Sequence, residues 1–537
     1  MKKGDIVEGV IDKFSFPNKG SMMVEDKRVT VKGTIPGQTV RARIIKKKSG
    51  LFEAAVVDTL KQSKLENKKP LCPHFFECGG CTYQTLSYTN QLRVKEKMVK
   101  ELIDGAIGEG TYAWEGILAS PAQWHYRNKM EFTFGDAEKD GPLTLGLHRQ
   151  YSNFDILPID GCAIVNNSWN EILKYTQNFF REKNVSFYKK MQHTGILRNL
   201  VIRQSAADGG ILINLVTTTK HALDVESKED KKEKTVLDVI SGERRNEIIE
   251  ELCLPEYVSG LVALSESGKF ESLESYSKIA GILYTENDSV ADFVKSDSTT
   301  LLYGQDYLIE EVLGLKFKIS PFSFFQTNTR GCEVLYSKVR EYVLWALNKD
   351  SSENEKSEKD GKLVGTVYDL YSGTGTIAQL MAPVAEKVIG IEIVEEAVEA
   401  AKENSKRNKL KNCEFIAGDV LKKLDEVEDK PDLIILDPPR DGIHPKALTK
   451  IIDYGVKNLV YISCKPTSLA RDLIILKENG YEVIKGCAVD EFPNTQHVES
   501  IVLLERVSNR KADAKVHIDV DLEDYYRIKD AQGKDGK

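Results

Sequence analysis

Between residues 366 and 506 the sequence alternates short apolar runs with stretches of helical periodicity. The runs are TVYDLYSGTGTI, KVIGIEIV, CEFIAGDV, PDLIILDPPR, NLVYISC and IVLLERV. Short apolar runs of this kind read as strands buried on both faces, and strands that alternate with helices build a parallel, doubly wound sheet. No other feature limits the fold as much, because such a sheet binds its ligands beyond the carboxyl ends of its strands.

Those strand ends are polar one after another. DLYSGTGT, residues 369–376, sets Gly373 and Gly375 just after a strand. Glycine there permits a tight turn and close approach of the backbone to a ligand, although a lone GxG also fits an ordinary turn. Glu392 falls near the end of the next strand, where an acid can accept hydrogen bonds from ribose hydroxyls. Asp419 follows the third strand, placed to meet an adenine, and Asp437 ends the fourth. Ala378 stands where a dinucleotide fingerprint needs its third glycine, and no GxxxxGK[ST] cradles a triphosphate. The ligand that fits is an adenosine without a pyrophosphate, and S-adenosylmethionine is the natural candidate.

The fifth strand closes on Cys464, followed at once by Lys465, Pro466 and a helix start. Positive charge and unpaired N–H groups at a helix start lower a thiol pKa, so a reactive thiol is expected; a buried structural cysteine is the alternative. DEFPNTQHVES brings Asp490, His497 and Glu499 in just before the last strand, with Glu499 the candidate general base.

The chain of 537 residues is too long for one ordinary core, so several domains are expected. Residues 1–60 alternate short β-like segments with Gly and Pro turns, which predicts a small OB-like β-barrel. From 124 to about 305, strand-like and helical segments mix as in an α+β domain. KDSSENEKSEKDG, residues 349–361, carries almost no apolar side chain and predicts a disordered loop. A composition of 41% hydrophobic and 29% charged residues suits a globular protein, and no apolar run reaches membrane-spanning length. Cytoplasmic residence is the expectation. In that compartment nine cysteines are metal or catalytic candidates rather than disulfides.

Cys72, Cys78 and Cys81 form C-x5-C-x2-C. Three local thiols need a fourth ligand: a [4Fe–4S] centre suits one more thiolate, and zinc with His74 remains open. A formal charge of −7 disfavours a histone-like nucleic-acid binder. Locally, however, Arg41, Arg43, Lys46, Lys47, Lys48, Lys61, Lys64, Lys68 and Lys69 make a candidate phosphate-contacting stripe. Tyr83, Trp124, Tyr126 and Phe132 are candidates to stack on bases, although most are expected in the core.

As a set, the cysteine cluster, SPFSFFQTN, DLYSGTGT, LDPPRDG, YISCKPTSLARDL and FPNTQHVE resemble the S-adenosylmethionine-dependent RNA uracil-C5 methyltransferases. The form is that of the 23S ribosomal RNA enzymes with a TRAM domain and an iron–sulfur cluster, and the resemblance runs to about residue 506. It implies a TRAM-like barrel over 1–60, a cluster-binding linker and central α+β RNA-binding domain over 61–315, and a Rossmann-like class I methyltransferase domain over 316–506. A polar tail, 507–537, would follow. It further implies Cys464 as nucleophile and Glu499 as base. Gln326, Tyr371, Glu392 and Asp437 would bind the methyl donor or organise its site, beside Gly373 and Asp419, and Cys162 in LPIDGCAIV would be the fourth cluster thiolate. RNA, 23S ribosomal RNA first, is the implied partner, with no membrane and no obligate protein partner. One position departs from the family: Lys465 stands where Asn is usual. The chemistry asks for these roles, because uracil C5 attacks a sulfonium methyl poorly until a thiolate has added at C6.

Overall fold

The computed structural model describes residues 1–48, 50–219, 250–270, 277–290, 294, 296–349, 365–427 and 429–507. The expected loop beyond Lys349 and the polar tail beyond residue 507 lie outside the described residues. Among the described residues, no helix is long and apolar enough to cross a membrane.

The N-terminal strands form one six-stranded sheet in the order Ile6–Val10, Thr39–Lys48, Leu51–Lys61, Lys27–Lys32, Lys19–Val24, Lys13–Ser15. Every pairing is antiparallel except that of Lys27–Lys32 with Leu51–Lys61. Alternating residues turn Met22, Val29, Val31, Val40, Ala42, Ile44, Phe52 and Ala54 onto a core of their own. The basic stripe on this sheet is partly neutralised. Arg41 meets Glu8 at 2.7 Å and Asp58 at 3.4 Å, and Lys46 lies 3.9 Å from Glu53.

A second sheet of seven strands runs Ile156–Pro158, Thr144–His148, Lys129–Gly135, Leu197–Gln204, Gly210–Thr217, Lys278–Glu286, Ser298–Gly304. The helices Asn167–Glu182 and Leu254–Glu266 bury Trp169, Phe180, Tyr257 and Leu261 against it. Tyr83, Tyr126 and Phe132 are buried side chains and offer no free face for stacking.

The third sheet has eight strands in the order Cys413–Ala417, Lys387–Glu392, Thr366–Leu370, Leu433–Leu436, Asn458–Ser463, Glu499–Arg506, Tyr481–Val489, Ala113–Leu118. The first five are parallel, and Glu499–Arg506 runs antiparallel between its two neighbours. Chain order reverses between Thr366–Leu370 and Leu433–Leu436, which opens a crevice at their carboxyl ends. Strand pairing crosses the domain division expected from sequence: Ala113–Leu118 pairs in parallel with Tyr481–Val489. The helix Tyr88–Ile107 just before it shares one apolar core with Leu469, Leu473 and Leu476 of the helix Pro466–Glu478.

Candidate active site

The register of three antiparallel strands brings a thiol and a carboxyl together. Ser463 pairs with Ser500 across the sheet. The next position on each strand is Cys464 on one side and Glu499 on the other, so the two face each other at the strand ends. On its other flank Glu499 pairs with Val489. Glu499 is buried, and Cys464 is half-buried at the start of the helix Pro466–Glu478. Pro466 begins that helix without a wasted N–H, and Ser463 Oγ accepts from Lys465 N at 3.2 Å to fix the turn.

That same helix anchors the LDPPRDG loop. Ser468 Oγ donates to the Arg440 carbonyl at 2.9 Å, and buried Asp472 accepts from Ile443 N at 3.0 Å and from the Tyr461 hydroxyl at 2.7 Å. Arg440 hydrogen-bonds the Cys464 side chain, and Asp437 lies near enough to act on it electrostatically.

Electrostatics here differ from the sequence expectation. The helix start does not leave a depressed thiol: burial, then Glu499 and Asp437, push Cys464 up to about 11, and the Arg440 guanidinium only partly offsets them. Burial also raises Asp437 to about 7, and burial with Asp437 raises Glu499 to about 8. Asp369 rises for the same reasons, with Asp437 and Glu392 as its acidic neighbours. A row of acids therefore lines the strand ends, and in the free protein it favours protonation.

The expected donor residues lie along the same edge. The Glu392 carboxylate accepts from Gly373 N at 2.9 Å and Val394 N at 3.0 Å, which clamps the glycine turn to the neighbouring strand. Tyr371 takes a left-handed φ of 70°, strain of the kind stored at functional turns. Gly373 has φ 53°, and a Cβ there would meet nothing within 4 Å, so its face is open. Asp419 caps the short helix Val420–Lys423 by accepting from Leu421 N at 2.9 Å, a local role that the adenine reading had not included. The Gln326 side chain hydrogen-bonds buried Tyr336, and its carbonyl accepts from Asn128 Nδ2 at 2.9 Å.

Three residues that matter here carry no sequence signal. Lys95, on the helix Tyr88–Ile107, is fully buried and donates to Asp490 Oδ1 at 2.5 Å, the Phe492 carbonyl at 3.0 Å and the His497 carbonyl at 2.8 Å. It clamps the loop that leads into Glu499. Gln91, on the same helix, binds Asn494. Glu491 is buried in the site itself. Only the fold makes them neighbours, since about four hundred positions separate Lys95 from its partners. Removing one member of a buried ion pair typically costs about 3–5 kcal/mol. Lys95→Met is expected to lose that much in denaturant unfolding and the double variant Lys95→Met/Asp490→Leu to recover most of it; equal stability of the single variant and the native protein would contradict the clamp. His497, pushed down to about 4 by burial and by Arg440, Lys95 and Arg127, is neutral at pH 7.

Four other cysteines, Cys72, Cys78, Cys81 and Cys162, come near one another. Gly79 N–H donates to the His148 carbonyl at 3.2 Å, and Gly161 lies against Pro73, so the 72–81 segment and the Cys162 loop meet. Cys81 rises to about 12 and Cys162 to about 11, first from burial and then from the other thiols of the group, Cys72 and Cys78 among them. His74 Nε2 lies against the backbone of Asp160, 2.9 Å from its N and 2.6 Å from its carbonyl oxygen. Among the described residues, no group of three or more His, Cys, Asp or Glu side chains is disposed to hold a metal ion as it stands. The backbone next to Cys81 touches the loop that leads into Glu499: Thr82 N and Tyr83 N both donate to the Asn494 carbonyl, at 2.7 and 3.0 Å.

A family model described as tRNA (Uracil-5-)-methyltransferase matches residues 295–507. An uncharacterized RNA methyltransferase of Caldanaerobacter subterraneus is 44% identical over 508 residues, covering 94% of this chain and all of the relative. One from Clostridium tetani is 43% identical over 508 residues, covering 94% and 99%. Among solved structures, the Pyrococcus abyssi tRNA (uracil-54, C5)-methyltransferase in complex with S-adenosyl-L-homocysteine superposes with a TM-score of 0.62. It does so at 23% identity, over 93% of this chain and all of that one, a likeness of fold.

Proposed function

Because the chain belongs to the S-adenosylmethionine-dependent RNA (uracil-5) methyltransferase family, we propose that it methylates C5 of a uridine in RNA through a transient bond between Cys464 and C6 of the base. The observation that carries this is the register that sets Cys464 beside Glu499 at the ligand-bearing edge of the sheet.

S-adenosylmethionine, when bound, supplies an electrophilic methyl group on a cationic sulfonium. The residues present suit it: the open face of Gly373, the Glu392 carboxylate, and the acidic row of Asp369 and Asp437. Gln326, Tyr371 and Asp419 complete the set that would hold it. Once its proton has passed to solvent, Cys464 Sγ adds to C6 and drives electron density to C5; C5 would then take the methyl group as the methyl–sulfur bond of the donor breaks and its sulfur leaves as a neutral thioether. Glu499 removes the C5 proton, the C–H electrons restore the C5–C6 double bond, and the sulfur leaves with the electrons of the C–S bond. Both faces of the ring must be reached, so the uridine is unstacked. Arg440, whose guanidinium offsets the acids around the thiol, stabilises the thiolate.

A cationic ligand binds best when its carboxylates are ionised. Asp437 near 7 and Glu499 near 8 lose their protons as pH rises, so donor affinity should rise from pH 6 to pH 8.5, by up to about tenfold per pH unit for each proton released. Titration calorimetry in buffers of different ionisation enthalpy measures both; a pH-independent affinity with no proton release would contradict the assignment.

The substrate we favour is 23S ribosomal RNA, in the cytoplasm, on the strength of the cysteine motif. Transfer RNA is the second reading, prompted by the description of the matching family model. Nucleoside mass mapping of both RNAs, from cells with and without the protein, separates them: 5-methyluridine missing from one position of 23S RNA supports the first, loss from transfer RNA only supports the second.

Cys72, Cys78, Cys81 and Cys162 suit a cluster of iron and sulfide. The donors are all thiols, and they come from two segments that meet. Such a group would replace the protons these thiols hold and would brace the segment that carries the Asn494 contact. Protein purified anaerobically is expected to contain about four iron and four sulfide per chain; stoichiometric zinc without iron would refute the cluster.

A further inference from the structure

Lys465 is the position at which this chain departs from its family's usual residue, and nothing in the mechanism above uses its side chain. Its backbone is pinned on both sides. Its N donates to Ser463 Oγ at 3.2 Å, and its carbonyl accepts from Ser463 Oγ at 3.1 Å and from Ser468 N at 2.9 Å. Nothing holds the side chain in the same way. It is 36% exposed, and among the described residues its ammonium meets one acid, Asp441 Oδ1 at 4.0 Å, beyond hydrogen-bond length. Asp441 is itself 73% exposed, so water screens the pair and it is worth little. Two other cations at this edge are engaged. Arg440 hydrogen-bonds the Cys464 side chain, and Arg471 donates to Asp472 Oδ1 and to the Asp441 carbonyl, at 2.8 and 2.9 Å.

We propose that Lys465 holds the phosphate on the 5′ side of the target uridine, a contact beyond the reach of a short, neutral Asn at this position. The proposal rests on the covalent reading of Cys464. For that bond to form, Cys464 Sγ must meet C6, and in an anti pyrimidine nucleotide C6 is the ring carbon that faces O5′ and the 5′ phosphate. A group that receives this phosphate therefore belongs beside the nucleophile, and Lys465 is the next residue. The direction of its side chain agrees. Its approach to Asp441 carries the ammonium to the LDPPRDG loop, whose Arg440 side chain reaches the thiol. Charge calls for a cation here as well. Asp369, Asp437 and Glu499 line the strand ends, and each nucleotide brings a further negative charge to them. An ammonium on a four-carbon stem is a mobile point charge that suits a phosphate. Phosphate contacts fix the register of a strand on its protein, so this one sets C6 against the sulfur.

The test follows single-turnover methylation by the full-length protein. The probe is a synthetic RNA spanning the uridine that nucleoside mapping identifies, made with an ordinary phosphate or a neutral methylphosphonate 5′ to it. Lys465→Met should raise the RNA concentration for half-maximal rate by about tenfold, the worth of a hydrogen bond between charged groups, with the maximal rate within a few-fold of native. Its plot of log affinity against log salt should be shallower by about 0.7, the share of one phosphate on a single strand. Lys465→Arg keeps the charge and should restore both. The methylphosphonate should weaken native binding by a like factor and leave that of Lys465→Met unchanged. Equal losses from the methylphosphonate in both proteins, or native affinity and salt slope in Lys465→Met, overturn this proposal alone. Absence of any RNA adduct on Cys464 in Glu499→Gln overturns the covalent reading and this proposal with it. Should Lys465→Met not fold, the native protein decides: moving the methylphosphonate to the 3′ side of the uridine should restore affinity, and a loss as large there as on the 5′ side overturns the contact.

Discussion

Cys464→Ala is expected to abolish methyl transfer, by about 10^4-fold or more in single turnover, while donor and RNA affinities stay within a few-fold of native. The effect is large because no other group described at this edge supplies a nucleophile. The acids there attract protons, and His497 faces cations. The side chain is half-buried, so truncation removes little packing, and stability should change by about 1 kcal/mol or less. Measured rates of 5-methyluridine formation, with binding followed separately, check both halves. A variant that methylates at native speed would end the covalent account.

Glu499→Gln should give the opposite signature. Thiolate addition and methylation need only Cys464 and the donor, so both proceed; loss of the C5 proton does not, and the protein remains joined to its RNA. Resolution is expected to slow by about 10^2–10^4-fold, the usual worth of a positioned base. The substitution also removes a buried acid whose pKa lies near 8. That acid has a folded pKa raised above its unfolded value, so its ionisation costs stability as pH rises past the unfolded value. The Gln variant should therefore gain thermal stability relative to native as pH goes from 5 to 9. Denaturing gels show the adduct. Failure to trap it would remove the role given to Glu499 and leave that of Cys464 standing.

The sheet and most of the candidate site at its edge are legible in the sequence for a physical reason. Parallel strands are buried on both faces and read as unbroken apolar runs, so a polar residue at the end of each run marks the ligand edge. Glu392, Asp437 and Cys464 announce themselves this way. Three things do not. The strand Ala113–Leu118 joins the sheet at Tyr481–Val489 across more than 360 residues, and no local pattern encodes such a pairing. Lys95 reads as one more surface lysine on an amphipathic helix, and only the fold shows it buried on Asp490. The thiol pKa depends on which side chains face Cys464 from other strands. The local signal, a helix start after a lysine, predicts a fall, and the acids at 437 and 499 reverse it. Asp419 and His74 show the same limit on a smaller scale: each residue type suits a ligand, and each has a backbone partner nearby.

The measurement that bears most directly on the central claim is peptide mapping by mass spectrometry of the adduct that Glu499→Gln forms with substrate RNA and the methyl donor. The account predicts one modified peptide, from the start of the helix Pro466–Glu478, with a methylated uridine joined to Cys464. A nucleotide joined to any other residue, or methylated RNA released with no protein ever attached to it, would contradict it.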